Sequence, residues 1–505
     1  MKLRLSRSHL AAITFLAALS ATVACSGTPD GPDPDGNGAG ASSPGGGASG
    51  AGNSAGSNSP AGSSSDSGND GGSEASGGTP GTGGNPDAGA GGTSPAGGAG
   101  AAAGGSSGGQ TGFGGSGGSP AVPALDCGKD GWAFENAGPP KNRVNYLILA
   151  DGYTATTVDT TLKTHIEVMA KRRFEHESGE PYGRYRKFVN ICVMKAVSQN
   201  DGIGNGPTIF DGGNGGDRLA RVDSTKVNNY IKENVPASFE VDWKAVVLNQ
   251  DKWENTGSIL MLWSGAHADA AGAALHEGGH GHHQLADEYG SQTGCQNQQA
   301  SCGSSGQAYQ EVNSAGNCTT TDNKWAMWLG TTQKGLKVPD MGATGMQGTW
   351  QGSRYVASGQ YRPSCNSMMN SLFGMNVDTS FNSVSREQMV FGIWRAVVPI
   401  DSTEPPEGAV ASVPATLKVN VIDPAVINVD WDIDGKVSVN AGTTFSTASL
   451  ASGAHTITAT AYDNATTDLV KLRTSVCPPS VTGNYCHGTA WKRSTQKVTW
   501  TFTKP

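Results

Sequence analysis

The 505-residue sequence predicts an α/β domain followed by an all-β domain, with a long disordered linker in front of both. Three observations lead to this prediction. From residue 123 to about 402, short apolar runs alternate with helix-compatible segments, an order that is typical of α/β layers. Residues 403–505 are rich in Val, Thr and Ile with period-two alternation, which is typical of antiparallel sheets. Residues 26–122 consist almost entirely of Gly, Ser, Ala, Pro, Asn and Thr, with too little apolar surface to offset the entropy of ordering.

Residues 1–25 have the order of parts expected of an export signal. Basic residues precede an apolar run over 10–19, and small residues lead to Ala24 and Cys25. The ending Thr22–Cys25 resembles a bacterial lipoprotein cleavage site, which would leave Cys25 lipidated, and ordinary cleavage after Ala24 is the alternative. We therefore expect a lipid anchor at the bacterial outer membrane or cell surface, or otherwise an extracellular protein. The linker would then serve as a spacer.

The charge balance gives no reason to expect a nucleic acid as partner. The chain has 35 Lys and Arg against 43 Asp and Glu, a net charge of −8, whereas nucleic-acid-binding domains are basic. No segment is apolar over the ~20 residues that span a bilayer. A membrane contact is therefore expected only through the lipid at Cys25.

Nine cysteines agree with export. If Cys25 carries lipid, an even number remains for disulfides in an oxidising compartment. Cys477 and Cys486 are predicted to form a local pair, and the three cysteines over 295–318 are predicted to staple a polar loop. No Cys-x-x-Cys pair occurs, so a cysteine-ligated metal site is not indicated.

The elements of the α/β domain follow from the spacing of apolar residues. Short apolar runs predict strands over 144–150, 188–194, 245–248 and 259–263. Helical spacing predicts helices over 162–174 and 223–235.

The last hundred residues predict an immunoglobulin-like β-sandwich. Ala454–Ala461 alternates with period two, and turn signals such as Asp434–Gly435 bound short strands. The acids over 430–434 superficially resemble a calcium-binding loop. However, Ala441 stands where such a loop requires a glutamate, so a hairpin is predicted instead.

The segment L-H-E-G-G-H-G-H-H-Q-L-A-D-E-Y-G, residues 275–290, carries the chemistry. On a helix, His276 and His280 lie one turn apart on one face, so both imidazoles can reach a single metal ion. Neutral imidazoles suit Zn²⁺, which lowers the pKa of a bound water to ~7. Glu277 would take the proton from that water as it attacks a peptide carbonyl. A chance match is one alternative, and the helix-compatible run Ala268–Leu275 before the motif in an exported protein argues against it. A structural zinc site is the other alternative, and it leaves the glutamate beside the first histidine without a purpose.

Two histidines leave one ligand to be found. Asp287 is the first candidate, Glu288 the second and His283 the third. On an unbroken helix Asp287 would lie ~10 Å further along the axis than His280. Asp287 can therefore reach the metal only if the helix ends soon after His280 and the chain folds back. The three glycines over 278–281 weaken the helix and permit close packing or an early end.

H-E-G-G-H, followed by four residues and L-A-D-E-Y, resembles the signature of the IgA-peptidase family of zinc metallopeptidases. Leu149–Thr154 is similar to an early D-G-Y motif of that family. Tyr361–Met369 resembles its later Y-R-P segment, and Ser385–Gln388 resembles the next segment of the family in chain order. The resemblance covers residues 127–398.

This resemblance implies a zincin-like α/β domain with metal-dependent endopeptidase activity, and protein or peptide substrates. His276, His280 and Asp287 would be the zinc ligands and Glu277 the general base. Met368 or Met369 would form an apolar floor under the metal, with an ordinary core position as the alternative. Ser258–Ser264 would be the sheet edge that pairs with a substrate. His282 and His283 would either support the ligands from behind or be exposed.

The function predicted from the sequence is a zinc-dependent endopeptidase, secreted or anchored at the surface. The alternative is a surface adhesion or binding lipoprotein built on a metallopeptidase-like domain that does not cleave, and the presence of Glu277 argues against it. A zinc amidase acting on cell-wall peptides would share the chemistry. The family's name does not define the substrate.

Overall fold

The computed structural model describes residues 123–216, 218–290, 310–316, 324–331, 346–370, 379–465, 469–470 and 492–505. The predicted export signal, the linker, and the cysteines over 295–318 and at 477 and 486 lie outside the described residues. Among the residues that are described, no helix combines the length and the apolar character needed to cross a membrane.

The first part of the chain has mixed α/β content and is built on a five-stranded sheet with the order β1-β3-β2-β6-β7. Strands β2, β3, β6 and β7 are parallel, and β1 is antiparallel to β3. All four strands predicted from the sequence are confirmed. The four are Val144–Asp151 (β2), Val189–Met194 (β3), Trp243–Leu248 (β6) and Leu260–Ser264 (β7), and the fifth strand, Gly131–Glu135 (β1), was not predicted.

Helices cover both faces of this sheet. Tyr146 and Ile148 of β2 belong to an apolar cluster that also contains residues of three helices. Leu147 and Leu149 belong to a second apolar cluster, which contains Val227 of the remaining helix, Ser224–Asn234. Alternate residues of one strand thus serve two layers, and β2 is buried throughout. Both predicted helices are confirmed. The helix bounds are Thr161–Phe174 (α1), Ser224–Asn234 (α2), Ala270–His283 (α3) and Ser383–Ala396 (α4).

Two small hairpins and a disulfide are further features of this part where the structure describes it. Cys127 and Cys192 form a disulfide that ties the segment before β1 to β3. Both hairpins are antiparallel. Their strands are Gly213–Gly216 (β4) with Leu219–Arg221 (β5), and Trp350–Ser353 (β8) with Val356–Arg362 (β9).

The outer edge of β7 is occupied by residues 254–258 of the same chain. Thr256 exchanges both main-chain hydrogen bonds with Leu262, at 2.9 and 3.0 Å. The side chain of Asn255 accepts from the amide of Ser264 at 3.1 Å. The expectation that a substrate strand pairs with this edge is therefore wrong, because the preceding segment folds back and uses the groups concerned.

The rest of the described chain is rich in β-strands. A three-stranded sheet has the order β10-β12-β15, and a five-stranded sheet has the order β11-β17-β16-β13-β14. The hairpin predicted at Asp434–Gly435 is confirmed, because β13 and β14 pair on either side of it. The bounds are Ile400–Glu404 (β10), Gly408–Ala409 (β11), Thr416–Val421 (β12), Ile427–Ile433 (β13), Lys436–Ser438 (β14), Thr444–Ser446 (β15), Gly453–Asp463 (β16) and Thr495–Lys504 (β17).

Asp463, at the end of β16, joins the β-rich region to the α/β part. Its buried carboxylate accepts from the guanidinium of Arg184 at 3.0 Å, from the hydroxyl of Tyr185 at 2.6 Å and from the indole of Trp394 at 2.9 Å. One apolar cluster also includes side chains from both regions. The junction is thus a packed interface with a buried charge at its centre.

Candidate metal centre

The helix α3 carries both histidines, and its glycines let neighbouring parts approach closely. A Cβ atom at Gly281 would lie 2.3 Å from the main-chain oxygen of Ser258, and one at Gly278 would lie 3.0 Å from the guanidinium of Arg173. No other residue type fits at Gly281 without movement of the backbone. The glycines therefore permit close packing, which was one of the two roles predicted for them.

Gly279 faces the segment Met368–Met369, which supports the helix in two ways. A Cβ atom at Gly279 would lie 2.6 Å from the sulfur of Met369, so this methionine packs directly against the helix. The main-chain oxygen of Met368 accepts a hydrogen bond from Nδ1 of His276 at 2.8 Å. Both methionine side chains are fully buried. One methionine thus packs beneath the helix, and the other contributes its carbonyl group.

The helix ends where the chain must turn back. Gln284 has the left-handed conformation, with φ 57°. The amide of Leu285 then donates to the carbonyl of Gly279 at 3.0 Å, a hydrogen bond typical of helix C-termini. The end three residues after His280 brings Asp287 back towards the histidines, which is the condition that the sequence set for a third ligand at this position.

Three potential ligand atoms surround a common point. The Nε2 atoms of His276 and His280 are 3.1 Å apart, and each is 3.1 Å from Oδ1 of Asp287. Ligand atoms ~2.0 Å from a tetrahedral Zn²⁺ ion are ~3.3 Å apart. The spacing and the nitrogen and carboxylate donors therefore fit a small divalent ion.

Hydrogen bonds behind the two imidazoles orient them for a cation. Nδ1 of His280 is bonded to the carbonyl of Leu285 at 2.7 Å, and Nδ1 of His276 is bonded to the carbonyl of Met368. Because a carbonyl oxygen only accepts, each ring carries a proton on Nδ1 and directs Nε2 towards Asp287. The centre therefore attracts a positive charge, either a proton or a metal ion.

The pKa values of this cluster agree with that conclusion. Burial lowers the pKa of His280, but the charge of Asp287 and its hydrogen bond outweigh burial and raise this pKa to about 9. Burial raises the pKa of Asp287, but the two histidines lower it well below its usual range. The cluster thus holds a negative charge at the carboxylate of Asp287 and binds a proton tightly at His280.

Glu277 lies beside the same centre and is shielded from bulk water. Its side chain is 1% exposed. A Cβ atom at Gly257 would be 2.7 Å from Oε2 of Glu277 and 2.6 Å from Cβ of His280. The carboxylate and the second histidine therefore lie against the same main-chain segment. Only a glycine allows that segment to come so close.

Glu288, the second candidate for the third ligand, does not enter the cluster. Its carboxylate accepts from the side chains of Asn313 at 2.9 Å, Ser367 at 2.7 Å and Asn382 at 2.9 Å and 3.0 Å. Asn382 also caps the N-terminus of α4 through its side-chain oxygen. Glu288 therefore connects three segments of the chain, which is a structural role.

His282 and His283 contact Trp243 and Tyr182 rather than the metal centre. The ring of His282 stacks on Trp243 with centroids 4.8 Å apart, and Nε2 of His283 is 2.7 Å from the hydroxyl of Tyr182. Burial lowers the pKa of His282 far below its usual value. Both side chains are buried, so the expectation that they could be exposed is wrong. His283, the third candidate ligand, does not face the centre.

Two residues that the sequence did not indicate also contact the centre. Gly257 covers Glu277 and His280, and the hydroxyl of Tyr355 donates to Oδ2 of Asp287. Neither residue has a spacing relation to the histidine helix. Only the turn between β8 and β9 and the fold-back of residues 254–258 bring them there.

Two histidines and an aspartate converging on one point beside a buried glutamate are typical of metal-dependent hydrolases. Residues 133–341 match a family model described as IgA Peptidase M64. The predicted resemblance to the IgA-peptidase family is therefore confirmed, and this segment is a peptidase domain of that family. Among curated proteins, no match to the chain was found.

Proposed function

We propose that the protein is a zinc-dependent endopeptidase that hydrolyses peptide bonds in protein or peptide substrates. His276, His280 and Asp287 would hold Zn²⁺, through Nε2, Nε2 and Oδ1. When bound, the ion supplies Lewis acidity, which polarises a peptide carbonyl and acidifies water. The observation that carries the proposal is the convergence of these three atoms, each pair separated by 3.1 Å.

Glu277 is the general base of the proposed reaction. It accepts a proton as water adds to the carbonyl carbon, and it returns that proton to the nitrogen that leaves. Its near-complete burial, 1% exposed, keeps bulk water from competing for the proton. Gly257 restricts the space around Oε2 and thereby orients the carboxylate.

The variant Glu277→Gln tests this proposal. We expect it to retain stoichiometric zinc, measured by metal analysis, and to lose ~10²–10⁴-fold in the rate of cleavage of an unfolded protein. The control Glu167→Gln alters a glutamate on α1 whose side chain is 55% exposed, and it should cleave like the parent protein. A chelator should abolish cleavage by the parent, and added zinc should restore it.

Three results would contradict the proposal. Glu277→Gln with full zinc and full activity would remove the mechanism. A parent protein that binds zinc but cleaves no polypeptide would favour the adhesion alternative. Cleavage of cell-wall peptides without cleavage of unfolded proteins would favour an amidase.

We further propose that the peptidase domain is zincin-like and that the β-rich region is an immunoglobulin-like sandwich. The histidine helix packed against β7 supports the first assignment. The contact between Trp431 of the five-stranded sheet and Phe445 of the three-stranded sheet, with ring centroids 5.5 Å apart, supports the second. The protein would be exported and anchored through a lipid at Cys25. The mass of the mature N-terminus, compared between the parent protein and Cys25→Ser, tests the anchor.

A further inference from the structure

The turn between β8 and β9 contains residues that are unusual in a turn of its type. Ser353 pairs with Val356, so Arg354 and Tyr355 are the central residues of a two-residue turn. Both have positive φ, 50° and 68°. Turns of this kind favour Asn and Gly, because bulky side chains are strained there. Strain of this kind is typical of functional sites.

The turn is bound to the segment that carries Asp287. The amide of Arg354 donates to the carbonyl of Asp287 at 3.1 Å, and the amide of Tyr355 donates to the carbonyl of Tyr289 at 2.9 Å. The hydroxyl of Ser353 also donates to the carbonyl of Asp287, at 3.1 Å. The tip of the hairpin therefore has a defined position relative to Asp287.

Tyr355 uses this position to contact Asp287 through its side chain. Its hydroxyl donates to Oδ2, while Oδ1 of the same carboxylate faces the two histidines. The ring of Tyr355 packs edge-on against that of Tyr289, with centroids 5.2 Å apart, and 40% of the residue is exposed. The strained turn therefore places a phenol, rather than solvent, on the second oxygen of the carboxylate.

We propose that Tyr355 is a positioning residue of the metal centre, which keeps Asp287 to a single coordinating oxygen, Oδ1, and sets the affinity for zinc. This inference rests on the proposed function, because it assumes that Asp287 is a ligand. Hydrogen bonds from outside the ligand set fix the orientation of a coordinating carboxylate. A small cavity of about 20 Å³ lies between Tyr355, Asp287, His280 and Glu311, so little room remains for another orientation of the carboxylate.

The variant Tyr355→Phe removes only the hydroxyl group. We expect its zinc affinity, measured by competition with a chelator, to fall ~10–100-fold. We also expect the visible spectrum of the cobalt-substituted protein to change, because Oδ2 becomes free to coordinate. Tyr462→Phe is the matched control: Tyr462 donates to Asp430 at 3.3 Å in the β-rich region, and neither readout should change.

The variant Tyr355→Gly separates positioning from folding. Glycine adopts positive φ without strain, so the melting temperature in the presence of chelator should equal or exceed that of the parent protein, while zinc affinity falls. A tyrosine with a merely structural role would instead lower that melting temperature and leave zinc affinity unchanged.

The outcomes distinguish this inference from the proposed function. A parent protein without stoichiometric zinc would remove both. A parent that binds zinc and cleaves, together with a Tyr355→Phe variant of equal zinc affinity and an unchanged cobalt spectrum, would overturn only the role of Tyr355.

Discussion

Asp287 and Glu288 are adjacent and both are buried, yet the regions around them differ in chemistry. Asp287 faces the Nε2 atoms of His276 and His280, whose Nδ1 protons are already donated elsewhere. Glu288 faces donors, namely amide and hydroxyl groups that bond to both of its oxygens. The carboxylate of Asp287 therefore faces imidazoles whose Nε2 atoms can hold a proton or a metal ion, whereas that of Glu288 is bonded by neutral donors.

This difference indicates how a metal ligand can be distinguished from a structural carboxylate. A buried carboxylate costs free energy unless it is paired or hydrogen-bonded. Side-chain donors offset this cost at Glu288. At Asp287, most of the cost is offset by a proton or a metal ion held at the histidines. The Met368–Met369 segment connects the two regions, because its carbonyl groups accept from His276 and from the amide of Glu288.

The largest effect is expected from Asp287→Ala. Removing Oδ1 leaves two ligands, so zinc affinity should fall at least ~100-fold, more than the usual loss of an orienting hydrogen bond. Isothermal titration of the chelator-treated protein measures this affinity. Retention of tight zinc binding would mean that another residue completes the centre, and the comparison would fail.

Glu288→Gln should have an intermediate effect, on stability rather than on zinc. Its amide group would meet donors from Ser367 and Asn382, which leaves buried polar groups unpaired and lowers the free energy of unfolding by about 2–3 kcal/mol. Denaturant unfolding measures the loss, with Glu167→Gln as the exposed control. A variant of normal stability that loses zinc would reverse the roles assigned to the two carboxylates.

Gly279→Ala should have the smallest effect, but it should change both stability and zinc affinity. The new methyl group would displace Met369, at a cost of roughly 1–3 kcal/mol in unfolding free energy. Zinc affinity should also fall, because Met368 bonds to His276. Gly278→Ala is the matched control, since its methyl group would come no closer than 3.0 Å to a neighbouring side chain, that of Arg173, and would lie at ordinary contact distances from His282 and Met261. Equal effects of the two substitutions would argue against coupling through the methionines.

Local spacing explains what the sequence could predict. His276, Glu277 and His280 lie within two turns of one helix, so their geometry follows from the helical period alone. The position of Asp287 followed from a single condition, an early end of that helix, and the left-handed Gln284 meets it. The four parallel strands of the main sheet could be predicted as well, because continuous apolar runs indicate buried parallel strands.

Contacts between distant segments explain what could not be predicted. Asn313, Ser367 and Asn382 approach Glu288 from three separate parts of the chain, and no period relates them. The same holds for Tyr355 and Gly257 at the metal centre. Periodicity also assigns a strand without showing its neighbours, which is why the edge of β7 was expected to be free.

The segment 254–258 that folds back on β7 has a further consequence. The border of the main sheet is completed there from within the chain, by main-chain and side-chain groups of Asn255, Thr256 and Ser258. A neighbouring extended polypeptide finds no row of unused amide and carbonyl groups at this border on which to grow. A neighbouring chain therefore cannot extend the main sheet at β7 without displacing this segment, which limits aggregation through this border.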